Sequence, residues 1–298
     1  MRTRGLFFWL AMIPGLVASE RVQLGDERFS VIVETPLTDW IGERGPRFET
    51  TAAVVSVKVK GREFLAPGGL ADEFNPKWIS PPGFDRANPG EPFLKVGVGV
   101  LLRKSSWRYF FGHFYVVERL AEVERLTGLG EGVIGFRQRC DSLLGWAYEY
   151  EKTYAVDARR RELTIRYRMR NTGADTFVIE TYNHNWFAFA APDEGKAHRL
   201  EAPFELEEGL SVPGSLTEPI YRMAEQSTIA SANRVRLSHA TDGRWVEFNG
   251  DFAVSRFALA VDATSFSPEV FGRWTLAEGA EATWSRTYRF GTEPEDKL

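Results

Sequence analysis

Residues 163–170 read Leu-Thr-Ile-Arg-Tyr-Arg-Met-Arg, and Asn171-Thr-Gly173 follows them directly. Apolar and polar side chains alternate strictly along this run, which is the pattern of a β-strand with one buried face. The same pattern occurs at Ala53–Val59, where Lys60-Gly61 is the turn signal. These stretches predict antiparallel strands joined by short turns.

The rest of the chain continues this pattern. Eight further segments have the composition and length of strands: Val96–Leu102, Phe114–Glu118, Val133–Arg137, Tyr148–Val156, Thr176–Tyr182, Trp245–Phe248, Ala253–Val261 and Thr283–Phe290. A helical pattern is present only around Glu218–Ala232. Many short strands with few helices indicate an all-β fold, a large antiparallel β-sandwich. Because no linker interrupts the chain, residues 20–298 are predicted to form a single domain.

Composition excludes several classes of protein. The chain has 298 residues, of which 43% are hydrophobic, and 37 Lys and Arg balance 41 Asp and Glu to a net charge of −4. These values exclude a disordered chain. They also argue against a general nucleic-acid binder, which normally carries a basic excess.

The N-terminus has the features of an export signal. Arg2 and Arg4 precede the apolar run Leu6–Ala18, and the small residues Ala18 and Ser19 come just before a polar segment. This order predicts a signal peptide at residues 1–19, and thus a periplasmic or extracellular protein. The run is shorter than the roughly 20 residues that span a bilayer, so no membrane association is expected after its removal. Cys140 is the only cysteine, so an internal disulfide is excluded.

A Pro- and Gly-rich stretch at residues 67–91 departs from the strand pattern. It contains five Pro and four Gly, together with aromatic and charged residues that include Trp78 and Arg86. Loops of this length are more often functional than idle.

The segment Glu180–Phe189 combines a strand with a polar cluster. Asn183, His184 and Asn185 follow one another, and Trp186 comes next. An imidazole can give or take a proton near neutral pH, amides can orient hydroxyl groups, and a Trp face can stack on a sugar ring. The plainer interpretation is a His at a strand end that is hydrogen-bonded to the backbone.

Two carboxylates lie in the segment Phe257–Glu269. Asp262 directly follows an apolar run, and such surroundings strengthen a carboxylate as a base. Glu269 follows a turn and is the competing candidate. The alternatives are an Asp that bonds its own backbone and a Glu on a solvated loop.

Four segments together resemble the galactose mutarotase-like superfamily, which includes the aldose 1-epimerases. Ala53–Leu65 is similar to the opening hairpin, and Leu163–Gly173 to a strand that ends in an Asn-x-Gly turn. Asn183-His-Asn-Trp-Phe187 is similar to the Asn-His-x-aromatic-Phe motif, and Leu276–Phe290 to the closing strand pair.

This resemblance implies a fold and a site. It implies a galactose mutarotase-like sandwich with a sugar site in which His184 is the general acid. Independently, the sequence has no glycine-rich phosphate loop and no His and carboxylate spacing typical of a metal cluster, so a site without metal or cofactor is expected. The family's general base is a Glu, and Asp262 occupies the matching place, with Glu269 as the alternative. His113 and Arg86 are further candidate substrate contacts beside Trp78, Asn183, Asn185 and Trp186.

The function expected from this resemblance is interconversion of sugar anomers by acid–base ring opening. The ligand would be a mono- or oligosaccharide. The alternatives are a noncatalytic carbohydrate-binding protein, a polysaccharide-processing lyase or hydrolase accessory on the same fold, and a structural cell-envelope protein.

Overall fold

The computed structural model describes residues 19–76, 79–141, 144–188, 198–203, 220–224, 233–240, 242–261 and 265–292. Within these ranges the chain forms twenty β-strands and one short helix. Two large antiparallel sheets face each other, and a three-stranded sheet accompanies them. The all-β sandwich predicted from the sequence is confirmed.

In chain order the elements are β1 (Glu20–Gly25), β2 (Phe29–Thr35), α1 (Trp40–Arg44), β3 (Ala53–Val59), β4 (Arg62–Glu63), β5 (Leu65–Phe74), β6 (Pro92–Lys95), β7 (Gly99–Leu102), β8 (Val116–Leu120), β9 (Glu122–Arg125), β10 (Val133–Asp141), β11 (Ala147–Asp157), β12 (Glu162–Asn171), β13 (Phe177–Phe187), β14 (His198–Glu201), β15 (Ile220–Ala224), β16 (Arg234–His239), β17 (Arg244–Gly250), β18 (Arg256–Val261), β19 (Phe266–Leu276) and β20 (Glu281–Thr292).

The strand order brings distant parts of the sequence together. The first sheet runs β1-β2-β3-β5-β13-β19-β18-β15, with β4 beside β3. The second runs β14-β16-β17-β20-β12-β11-β10-β9, and the small sheet runs β6-β7-β8. Strand β13 lies between β5 and β19 in the first sheet. Residues from three separate segments therefore meet around β13.

The core lies between the two large sheets. Every second residue of β11 is buried, and this inward row includes Tyr148, Tyr150, Lys152 and Tyr154. The Tyr150 ring meets Phe74 of the first sheet edge-on, at 5.2 Å between ring centroids. Burial of each aromatic side chain of this kind contributes roughly 1.5–3 kcal/mol. A row of this kind holds the sandwich together without a disulfide.

Two sequence expectations need correction. Residues 67–74 belong to strand β5 rather than to a loop. Gly68 and Gly69 have φ of 120° and 64°, so these glycines mark a kink within a strand and not the end of one. The helix expected around Glu218–Ala232 is also wrong in its described part, because residues 220–224 pair with β18 at the edge of the sheet.

The predicted signal peptide lies outside the described residues, apart from Ser19. Among the described residues, no helix is long and apolar enough to cross a membrane.

Candidate active site

Strand β13 carries the centre of the candidate site, and its two faces differ. Successive side chains of a strand point to opposite faces. Tyr182, His184 and Trp186 therefore share one face, and Asn183 and Asn185 share the other. The first three face away from the second large sheet, and the two amides face toward it.

The two amides hold the sheets together. Tyr167 of β12 donates a hydrogen bond to Asn183 at 3.2 Å, and Tyr288 of β20 donates one to Asn185 at 2.9 Å. Asn185 also donates to the Pro268 carbonyl at 2.6 Å. Both amides are fully buried. This placement gives Asn183 and Asn185 a structural role, in place of the substrate contact expected from the sequence.

Glu269 is the partner of His184 on β19. Strands β13 and β19 pair in the same register on both sides of His184, at Thr181 with Gly272 and at Phe187 with Phe266. This register places His184 opposite Glu269. Cross-strand neighbours on one face lie within side-chain reach. Nδ1 of His184 is 2.9 Å from Oε1 of Glu269, and the Ser267 hydroxyl donates to the same oxygen at 3.1 Å. Both members of the pair are buried.

The other ring nitrogen of His184 faces three groups. Its Nε2 lies 2.6 Å from the Tyr182 hydroxyl, 2.9 Å from Nη2 of Arg47 and 3.3 Å from Oε2 of Glu73. Glu73 lies opposite Tyr182 in the pairing of β5 with β13. Arg47 donates through Nε to Glu73 at 2.8 Å, and the Tyr182 hydroxyl donates to the same carboxylate oxygen at 2.6 Å.

The charges around His184 set its protonation. Burial by itself lowers the pKa of His184, but the Glu269 carboxylate outweighs it, and the net pKa is raised. For Glu73, burial raises the pKa, but the Arg47 cation and the hydrogen bond from His184 bring it down to about 2. The two carboxylates therefore face two cationic groups, Arg47 and, when it is protonated, His184.

The contacts suit a group that gives up and regains a proton. When Nε2 of His184 is protonated, it donates to Tyr182 and Glu73. When Nε2 is unprotonated, it accepts a hydrogen bond from Arg47, while Nδ1 keeps its proton against Glu269. Both states satisfy the ring, and this is the property required of a general acid or base.

Aromatic rings surround the imidazole. The Trp186 ring stacks on His184 with centroids 5.1 Å apart and an interplanar angle of 11°. Phe48 meets His184 edge-on at 5.1 Å, and Phe271 stacks on Tyr182 at 4.2 Å. A Cβ at Gly68 would lie only 2.7 Å from the Trp186 ring, so the glycine makes room for that ring.

A second buried charge cluster lies on the opposite face of the same sheet. Lys152 of β11 has its ammonium 2.8 Å from Oε1 of Glu49, and it also contacts the carboxylate of Asp72. Tyr167 donates to Asp72 at 3.2 Å. Burial opposes the charge on Lys152, yet Asp72 and Glu49 raise its pKa well above the usual value. This cluster binds the two sheets together.

Among the residues that the structure describes, no group of three or more His, Cys, Asp or Glu side chains is arranged to hold a metal ion. The His184 group consists instead of hydrogen-bond donors, acceptors and balanced charges.

Solved structures with the same architecture are known. No protein-family profile and no curated protein sequence matches this chain. An aldose 1-epimerase candidate from Escherichia coli K12 superposes with a TM-score of 0.60 at 12% identity, covering 92% of this chain and 100% of that one. A galactose mutarotase-like protein from Clostridium acetobutylicum gives 0.58 at 9% identity, covering 92% and 98%. An aldose epimerase homologue from Caenorhabditis elegans gives 0.56 at 12% identity, covering 92% and 99%.

This chain has the galactose mutarotase-like fold. The similarity extends over nearly all of the chain, at an identity so low that it establishes the fold and not the activity. The resemblance inferred from the sequence segments is confirmed at that level.

Within the galactose mutarotase-like fold, Arg86 lies at the other end of β13 from His184. Its guanidinium is 3.4 Å from Asp175, and it covers the Trp146 ring at 5.1 Å. Asp175 precedes β13, and the seven residue steps along the strand from Phe177 to His184 span about 23 Å. This position separates Arg86 from the His184 group, although the sequence suggested a shared site.

His113 lies nearer, but beside the site rather than in it. Its ring meets Phe110 at 5.1 Å and Tyr115 at 5.8 Å. Its neighbour Phe111 reaches the site instead, with the Arg47 guanidinium 4.2 Å above its ring. Trp78 and Asp262 lie outside the described residues, so their roles stay predictions.

The sequence interpretation missed Arg47 and Glu73, which form half of the charged group. The available signal for Glu73 was the acidic pair Asp72-Glu73, which interrupts the apolar run from Leu70 to Phe74. Buried Lys95 was missed as well. It donates to the Phe74 carbonyl, and burial lowers its pKa to about 8 against the opposing effect of Glu73.

Proposed function

We propose that this protein is a carbohydrate-active isomerase of the aldose 1-epimerase type, with His184 as its proton donor. The observation that carries the proposal is the His184 group itself. A raised pKa, a carboxylate on each side of the ring and an aromatic wall occur together on a fold shared with aldose 1-epimerase-like proteins.

The proposed reaction opens and recloses a pyranose ring. His184 gives its Nε2 proton to the ring oxygen while a carboxylate takes the proton of the anomeric hydroxyl. The bond between the anomeric carbon and the ring oxygen breaks, and an open-chain aldehyde forms. After rotation about the adjacent carbon–carbon bond, the ring recloses from the other face, and both protons return.

Arg47 is the group that makes room for the sugar. Its Nη2 contacts Nε2 of His184, yet its side chain keeps 18% exposure, while His184 has none. A sugar ring oxygen at Nε2 would take the place of that Arg47 contact, and Arg47 would keep its bond to Glu73.

Two carboxylates are candidates for the base. Glu269 lies 2.9 Å from Nδ1 of His184, so it is engaged with the imidazole on the side away from Nε2, where the sugar would bind. Ring opening needs the acid and the base at different atoms of the sugar. We therefore assign Glu269 the orientation of His184 and retain Asp262 as the proposed base.

The test is the rate at which a freshly dissolved single anomer equilibrates, followed by polarimetry over a panel of aldoses. We expect acceleration by the wild type and a loss of about 10²–10⁴-fold in His184→Asn, the usual range for one general acid. His239→Asn, which removes another buried imidazole in β16, is the control and should keep the rate. An unchanged rate with the wild type on every aldose contradicts the proposal.

The base assignment has its own test. Asp262→Asn should abolish turnover at all pH values, whereas Glu269→Gln should keep turnover with its pH profile moved to lower pH. If Glu269→Gln instead abolishes turnover and Asp262→Asn keeps it, the base is Glu269 and not Asp262.

A noncatalytic carbohydrate-binding protein is the second candidate. The observation that favours it is the complete burial of His184 beneath Trp186 and Arg47. Sugar binding measured by titration without any mutarotation supports this candidate. New reducing ends from a polysaccharide would instead indicate a hydrolase, and unsaturated products a lyase.

We further propose that the chain is exported and processed after Ser19. The basic start and apolar run of residues 1–19 support this proposal. The intact mass of the periplasmic or secreted protein tests it, and a mass that retains residues 1–19 contradicts it.

A further inference from the structure

The loop between β7 and β8, residues 103–115, is rich in aromatic side chains. Three of them are strongly exposed, with Trp107 at 76%, Phe114 at 58% and Phe110 at 39%. A thirteen-residue connection between neighbouring antiparallel strands is far longer than the usual hairpin loop, and loops of such length are usually functional. Exposure of several large rings in one segment needs an explanation.

The loop is anchored by buried tyrosines and by the hydrogen bonds of Arg103. Tyr109 and Tyr115 are buried in it, stack on each other at 5.7 Å and pack against Phe84. The Arg103 guanidinium donates to the carbonyls of Phe84, Ala87, Ser105, Ser106 and Trp107. Exposed rings on an anchored loop lose little conformational freedom when they bind a ligand.

The exposed rings are connected to the His184 group through Arg47 and Phe111. Arg47, which contacts His184, places its guanidinium over Phe111. The Phe111 ring lies 4.9 Å from that of Phe110. Phe114 packs against Gly45, two residues before Arg47. A path of rings therefore leads from His184 to the surface.

We propose that these rings, called here the aromatic platform (Trp107, Phe110 and Phe114), bind the second and further units of an oligosaccharide whose reducing-end unit lies at His184. The inference rests on the proposed function and names its substrate class. Sugar rings present apolar CH faces that stack on aromatic rings, and the platform adjoins the site where the reacting unit would lie. Each of the three rings offers at most about 250 Å² of surface, and each is only partly exposed. Their combined surface is therefore smaller than the roughly 800 Å² per partner that a stable protein–protein interface buries, which favours a sugar over a protein partner.

The test compares glucose with its β-1,4- and α-1,4-linked di- and tetrasaccharides, in binding titrations and in mutarotation. In the wild type, affinity and kcat/KM should rise about tenfold or more from the monosaccharide to the tetrasaccharide of at least one series. The double variant Phe110→Ala/Phe114→Ala should lose this rise and keep the values for glucose. Trp107→Ala, at the most exposed position, should lose part of it.

Leu144→Ala is the matched control, because it removes another exposed apolar side chain from a different loop. Equal affinity for all chain lengths overturns the inference, as does a rise that survives in the double variant or an absence of sugar binding. Platform-dependent dimerisation without dependence on chain length also overturns it. Length-dependent binding without mutarotation leaves the platform supported and contradicts the proposed enzyme alone.

Discussion

His184 is the residue on which the site depends, since both of its ring nitrogens face charged partners. At this scale the sequence predicted the central residue but not its surroundings. Arg47 and Glu73 are 137 and 111 residues away along the chain, and only the pairing of β5 with β13 brings Glu73 beside it. Local sequence patterns do not indicate which residues of distant strands lie opposite each other.

The link between Glu269 and His184 makes stability depend on pH. Because the pKa of His184 is raised, protonation of His184 stabilises the fold fully below its ordinary value of about 6.5. This contribution is lost as pH rises through the higher folded value. We expect Glu269→Gln to lower the free energy of unfolding by about 2 kcal/mol at pH 6, and by less at pH 9.

Urea unfolding between pH 5 and pH 9 checks this expectation. Glu278→Gln, at an exposed turn position, is the control and should follow the wild type throughout. A difference between wild type and Glu269→Gln that is the same at pH 6 and pH 9 would refute the link.

Lys152 belongs to a different buried ion cluster, which joins the two large sheets. Replacement by Met keeps much of the side-chain volume but leaves Glu49 and Asp72 without their cation. Loss of one partner in a buried ion pair costs about 3–5 kcal/mol. Lys152→Met should therefore destabilise the protein by this amount in urea unfolding, while exposed Lys58→Met should change it by less than about 0.5 kcal/mol. Equal effects of the two variants would show that the cluster adds no stability.

Elements were more predictable than the site. Alternation located strands such as β12, in which the inward residues from Leu163 to Met169 are apolar and the outward ones are polar or charged. The same rule, applied to β13, also separates Asn183 and Asn185 from His184. The Pro/Gly-rich stretch was misinterpreted because glycines mark kinks inside strands as well as loops, and only the pairing partner tells the two apart.

The kink of β5 gives a prediction at the scale of the element. Gly68→Ala would push a Cβ into the Trp186 ring at 2.7 Å, whereas Gly61→Ala meets no atom within 4 Å. Both glycines have positive φ, 120° at Gly68 and 79° at Gly61, so both variants carry backbone strain. We expect only Gly68→Ala to change the tryptophan fluorescence and weaken sugar binding. If both variants bind sugar equally well, Trp186 is not part of the binding surface.

At the scale of the whole molecule, no internal disulfide contributes to stability, because Cys140 is the only cysteine of the chain. Cys140 is buried, and burial raises the pKa of its thiol to about 11. Thiolate, not thiol, reacts with alkylating reagents. At pH 8 we expect iodoacetamide to label the native protein about a hundredfold more slowly than the urea-unfolded protein, as followed by intact mass. Equal rates in the two states would place Cys140 at the surface.

The division of β13 into two faces has a consequence for how such a protein can diverge. The odd-numbered positions from 183 to 187 contact the second large sheet, and the even-numbered positions from 182 to 186 face the opposite way, toward the proposed sugar site. Selection for a new sugar can therefore exchange alternate residues of one strand while the scaffold keeps its cohesion. Relatives that differ widely in substrate should therefore vary at positions 182 and 186, and stay alike at positions 183, 185 and 187.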